Sequence, residues 1–145
     1  MNKTMPSLCS LVLALAVSSA QAVEPTYRDL RYSKDYDRSV LDLWTVKSEK
    51  PAPLVVYFHG GGFKTGDKSG FSRSPVLRKY HPKGVAFASV NYPFLVHTNR
   101  DYVKIMDHAA EAIRFLQSQA QKYNIDKTRI SVSGSSAGAL ISCHV

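Results

Sequence analysis

Two uninterrupted apolar runs, LVVYF at 54 to 58 and GVAFASVNY at 84 to 92, limit what this chain can fold into more than any other feature. Both are rich in β-branched and aromatic residues and lack polar alternation, so each fits a strand covered on both faces. A third strand, RISVS at 129 to 133, follows a long amphipathic stretch. From about 100 to 123, Val103, Met106, Ala110, Ile113, Leu116 and Ala120 recur every three or four residues. That period predicts a helix, with Lys104, Asp107, Glu111, Arg114 and Gln117 facing water. Strands alternating with helices predict a three-layer α/β fold on a mostly parallel sheet with right-handed crossovers.

The remaining elements fit around that frame. Residues 28 to 46 hold two short alternating stretches on either side of the polar turn SKDYD, which predicts an antiparallel hairpin. The prolines of EKPAP then interrupt pairing, and FSRSPVLRKY reads as a short helix or irregular segment. NID can end the long helix, and AGALISCHV begins another. That last helix has no glycine, proline or asparagine to stop it, so the fold is expected to be cut off soon after residue 136. No repeat, low-complexity segment or interdomain linker divides the chain.

The N-terminus reads differently. One early positive charge, Lys3, precedes the apolar run LCSLVLALAV and the small-residue ending SSAQA, with Ala20 and Ala22 at the cleavage positions. Residues 1 to 22 therefore read as a signal peptide, and the protein as secreted or periplasmic. The run is too short for a membrane anchor, which needs ~18 to 20 apolar residues. Cleavage after Ala22 removes Cys9 and leaves Cys143 without a disulfide partner, as an expected small buried hydrophobe. The net charge of +8 comes from scattered bases with no run of five, a pattern that argues for a solvated surface and against a nucleic-acid face.

Two motifs carry chemistry. GSSAG at 134 to 138 joins a strand to a helix, the context in which G-x-S-x-G lifts a strained serine above a sheet. Ser136 is its centre, Gly134 and Gly138 let neighbouring backbone approach, and a plain strand-to-helix turn is the alternative. HGGGF at 59 to 63 follows LVVYF directly. Its glycines bare backbone N–H groups suited to a developing oxyanion, although a flexible turn reads the same way. A phosphate cradle is disfavoured, because neither G-x-x-x-x-G-K-[ST] nor a helix-opening G-x-G-x-x-G occurs.

With both motifs in this order, the chain resembles the α/β-hydrolase fold, specifically the esterases and lipases that carry HGGG and G-x-S-x-G, including the hormone-sensitive-lipase-like group and secreted bacterial carboxylesterases. The resemblance runs from about residue 27 to 145 and takes in HGGGF…GD at 59 to 67, SVNY at 89 to 92 and NIDKTRISVSGSSAGA at 124 to 139. It implies Ser136 as nucleophile and the N–H groups of Gly61, Gly62 and Ala137 as oxyanion hole. His59 and Asp67 become organisers of the glycine loop, a solvated turn being the other reading of Asp67. NYPF at 91 to 94 departs from the aspartate or arginine commoner there. The implied protein needs no cofactor and acts on small-molecule or polysaccharide esters through an acyl-enzyme.

In that fold the acid and then the histidine follow the serine along the chain. Only nine residues follow Ser136, with no Asp or Glu among them. His144 lies eight positions on, ~12 Å away along a helix, and so reads as a helix residue. His81, His97 and His108 read as surface or satisfied core residues, and Asp107 beside His108 makes no dyad because adjacent helical residues diverge. No H-E-x-x-H or cysteine pair suggests a metal. Residues 23 to 145 are thus expected to be the N-terminal portion of a hydrolase domain, inactive alone. A non-catalytic binding or interaction protein on the same scaffold is the alternative.

Overall fold

The computed structural model describes residues 21 to 145, so most of the leader expected at 1 to 22 lies outside the described residues. Strands β1 (Tyr27–Arg31) and β2 (Val40–Trp44) form the expected antiparallel hairpin. β3 (Ala52–Phe58), β4 (Ala86–Val90) and β5 (Ile125–Gly134) are parallel, and the sheet runs β1-β2-β4-β3-β5. The hairpin joins through β2, antiparallel to β4, which makes the sheet mixed at that edge. β5 starts four residues before the apolar run does, because Ile125 pairs with Ala52 ahead of a register shift. Within that irregular stretch the Asp126 carboxylate accepts from Thr128 and Arg129.

The pleat of β3 sorts its residues onto two faces. Leu54, Val56 and Phe58 join Leu41, Leu43, Ala88 and Val90 in a core covered by α2 (Tyr102–Ser118) and α3 (Ala137–His144). Val55 and Tyr57 face the other way, toward Trp44, Phe71, Leu77 and Phe87. That second layer is built from a 3-10 turn, Lys68–Arg73, and helix α1 (Pro75–Tyr80), started by the Ser74 hydroxyl accepting from Val76 N–H. Three layers result, as the alternation of elements implied.

The structure rotates the long helix part-way from its expected orientation, since Leu116 and Ala120 are buried as expected and Met106 and Ile113 are partly buried against the core. The buried row is Ile105, Ala109, Ala112 and Leu116, with His108 beside it, while Val103 is 56% exposed. The helix is apolar over a wide arc, and the sheet takes the row containing two alanines because small residues let the helix axis approach. Ile105→Ala is accordingly expected to cost ~2 to 5 kcal/mol by chemical denaturation, and Val103→Ala under about 0.5 kcal/mol. The helix also ends at Ser118, short of Tyr123, and a turn leads to Asn124 in the left-handed region at φ 53°.

Cys143 is exposed, contrary to the expectation that it fills a core position. On α3 the inward residues are Ala137, Gly138 and Ile141, and Cys143, two residues beyond Ile141, turns to the opposite side.

Candidate active site

β3 sits at the centre of the winding: β4 lies on one side of it and β5 on the other. The connection from β3 to β4 covers one face of the sheet, and that from β4 to β5 covers the other. Such a reversal opens a crevice at the carboxyl ends of the central strands. Both motifs emerge there, since Phe58 pairs with Gly134 at the ends of β3 and β5.

Ser136 adopts φ 51° and ψ −116°, outside the regions open to an unstrained L-residue. It occupies the N-cap of α3 without making a side-chain cap bond. The turn is held from below: Ser135 N–H donates to Phe58 O at 3.3 Å, and a Cβ on Gly138 would overlap that same carbonyl. The two serines are then distinct. Ser135 Oγ lies 3.1 Å from the Tyr57 hydroxyl, whereas Ser136 Oγ has no hydrogen-bond partner among the described residues.

The glycine loop curls toward this turn. Gly61, Gly62 and Phe63 have φ of 117°, 60° and 59°, three successive positive values that bend the chain back. Lys64 and Thr65 N–H both donate to Gly61 O at 3.0 Å, so a Cβ on Gly61 would meet Thr65 backbone. Gly60 abuts the serines, its built Cβ position lying 3.4 Å from Ser136 Cβ. Among the described residues the N–H groups of Gly61, Gly62 and Ala137 have no hydrogen-bond acceptor. The loop and the α3 N-terminus therefore expose donors beside the free serine hydroxyl.

His59 holds the base of the loop. Its ring stacks on Tyr92, centroids 4.5 Å apart, and Tyr92 Oη donates to His59 O at 2.6 Å. Arg38 Nη2 approaches His59 Nε2 at 3.4 Å, and a guanidinium can only donate. Nε2 must accept, so the proton sits on Nδ1 and is donated to Gly60 O at 2.7 Å. Burial pushes the imidazole pKa down, against the opposing pull of the Gly60 bond, and keeps it neutral. Arg38 also donates to Tyr92 O and Gly66 O and lies 3.8 Å over the Phe94 ring.

Asp67 closes the loop by accepting from Ser69 N–H at 2.9 Å and from Asn91 Nδ2 at 2.8 Å. Partial burial would raise its pKa. The bonds from Asn91 and Ser69 and the neighbouring Lys68 charge outweigh that effect and hold the carboxyl at about 2. A depressed folded-state pKa gives stability present above the unfolded value near 4 and lost as pH falls toward 2. The Tm difference between wild type and Asp67→Asn is therefore expected to be constant above about pH 5 and to shrink between pH 4 and 2.

The histidines other than His59 are committed elsewhere. His81 Nε2 bonds Thr45 O, His97 Nδ1 accepts from Phe94 N–H, and buried His108 Nε2 lies 2.7 Å from Ser39 Oγ. His144 meets Asp107 Oδ1 at 2.9 Å, at the end of α3 opposite Ser136. Sequence reasoning missed Arg38, Tyr57 and the loop-binding role of Asn91 and Tyr92. Only Asn91 left a trace, as a polar residue closing an apolar strand. A cleft of about 440 Å³ beside the site is lined by residues including Tyr57, His59, Asp67, Phe71 and Arg73.

A family model described as BD-FAE matches residues 41–144. The chain thus belongs to this family of α/β-hydrolase esterases, and its sheet and helices have that fold. Among relatives, it is 30% identical over 115 residues to carboxylesterase NlhH of Mycobacterium tuberculosis, covering 79% of this chain and 35% of the relative. A truncated form of a carbohydrate esterase from gut microbiota superposes with TM-score 0.68 at 23% identity, over 80% of this chain and 41% of that one. The thermophilic esterase Est2 of the planctomycete Thermogutta terrifontis gives TM-score 0.68 at 24% identity, over 81% and 43%. The chain thus spans about a third to two fifths of the length of the proteins it matches.

Proposed function

We propose that the protein is a secreted serine carboxylic-ester hydrolase with Ser136 as its nucleophile. The observation that carries this reading is a strained serine whose hydroxyl, like three backbone N–H groups beside it, has no hydrogen-bond partner among the described residues. Ser136 Oγ attacks the ester carbonyl carbon while its proton passes to a base outside residues 21 to 145, which later returns it to the departing alcohol, and the carbonyl oxygen takes up the negative charge. The N–H groups of Gly61, Gly62 and Ala137 stabilise that oxygen by ~3 to 4 kcal/mol per donor. Collapse expels the alcohol and leaves an acyl-enzyme, which water then hydrolyses.

His59 shapes the donor loop and does not act as base, because both its ring nitrogens are engaged and its pKa is lowered. Among the described residues no other histidine reaches Ser136, so on this reading residues 21 to 145 supply nucleophile and donors while acid and base lie outside them. These residues alone are then inactive as catalysts. The signal-peptide reading of residues 1 to 22 and the carbohydrate-esterase neighbour support an extracellular ester, small or polysaccharide-borne, as substrate.

Acyl trapping tests the assignment. The secreted protein is mixed with an activated acetate ester, quenched in acid and digested. The acetyl group is expected on the peptide containing Gly134 to Gly138, at Ser136. Acetyl transfer to Ser135, or turnover with no acylated serine, would refute the nucleophile.

A further inference from the structure

A second cluster of functional groups lies outside the ester site, where the connection between β1 and β2 meets α2. Asp35, His108 and Glu111 each place one donor atom there, all within 4.8 Å of one another. His108 Nδ1 is 3.6 Å from Glu111 Oε2 and 3.9 Å from Asp35 Oδ2, too far for direct hydrogen bonds. The imidazole is nine-tenths buried, and its ring is fixed by Tyr36, edge-on at 4.9 Å, and Tyr32 at 5.5 Å. Its Nδ1 faces the two carboxylates and has no hydrogen-bond partner among the described residues.

Hydrogen bonds hold the groups behind the ring. Asn91 O can only accept, so the Tyr32 hydroxyl donates to it at 2.8 Å. Ser39 Oγ and His108 Nε2 share a hydrogen bond of 2.7 Å. Nδ1 makes no hydrogen bond among the described residues, and a cation between it and the two converging carboxylate oxygens would engage all three groups.

We propose that Asp35, His108 and Glu111 bind a divalent d-block cation of the zinc type, clipping the hairpin turn onto α2. Imidazole nitrogen with carboxylate oxygen is a donor set such ions accept. A cation ~2.1 Å from each donor in tetrahedral geometry spaces the donors about 3.4 Å apart, so only a small inward movement is required. Asp35 and Glu111 are free to make it, with side chains 68% and 36% exposed, and they leave the site open to solvent. The Ser39 bond is the outer support that orients a ligating histidine. Sequence spacing hides the site, since Asp35 is remote from the i, i+3 pair on α2.

The untagged, chelator-treated full chain is titrated with Co²⁺ and read by visible d–d absorption, with Zn²⁺ as competitor. One equivalent is expected to bind saturably, to be displaced by Zn²⁺, and to raise Tm. Asp35→Asn with Glu111→Gln is expected to weaken binding at least 100-fold while leaving the metal-free Tm and circular dichroism unchanged. Cys143→Ser and Ser136→Ala are expected to bind as wild type does. Absence of saturable binding, or undiminished binding by the Asp35/Glu111 variant, overturns the site.

Discussion

Ser136→Ala is expected, on the proposed function, to lower kcat for an activated acetate ester by about four to six orders of magnitude in the protein isolated from its source. The substitution removes one oxygen that makes no hydrogen bond among the described residues, so the fold should lose little. KM is expected to change far less than kcat, because the backbone donors and the cleft remain. Ser135→Ala is the control. Its hydroxyl bonds the Tyr57 phenol, and its loss is expected to cost under about tenfold, the scale of one ordinary hydrogen bond. A Ser136→Ala enzyme that keeps its rate, measured free of contaminating esterase, would remove the acyl-enzyme from the reading.

Lys68→Met is expected to destabilise the fold by ~3 to 5 kcal/mol. The Lys68 ammonium is buried 2.8 Å from both Asp42 Oδ1 and Asp29 Oδ1, and Asp42, on β2, is 1% exposed. Removing the lysine leaves a carboxylate inside the protein with Asp29 N–H as its remaining donor. Burial works against the charged ammonium, but the two carboxylates outweigh it and raise the Lys68 pKa. A raised pKa means that this contribution is complete below the unfolded value near 10.4 and is lost only as pH climbs through the folded value. Urea unfolding at pH 7 measures the loss. Adding Asp42→Asn should recover part of it, since the stranded charge is then gone, and failure to recover would locate the damage in packing.

Much of this architecture was legible from the chain, for reasons that differ by element. The runs at 54 to 58 and 84 to 92 have one stable use, burial on two faces, and both became central strands. GSSAG and HGGGF were readable because glycine is demanded by backbone geometry, which leaves its mark whatever surrounds it. The facing of α2 was not readable. Val103 and Ile105 are equally apolar, and only the sheet decides that the row with Ala109 and Ala112 goes inward. Nor could the sequence reveal Arg38 against His59 or Lys68 against Asp42, because long-range polar pairs carry no period. Cys143 was misplaced because residue type predicts burial on average, whereas helix phase decides it for one residue.

The serine turn and the glycine loop leave from hydrogen-bonded neighbours, β5 and β3, whose last paired residues are Gly134 and Phe58. Their separation is therefore inherited from the strand spacing of a parallel ladder, ~4.8 Å. Thermal motion that pulled the serine away from the loop would first have to unzip the end of that ladder. The distance between the Ser136 hydroxyl and the N–H groups of Gly61 and Gly62 is thus as stiff as the sheet itself, whereas the cleft walls at Arg73 and Ser74, carried on the surface turn and helix between β3 and β4, can vary without disturbing it.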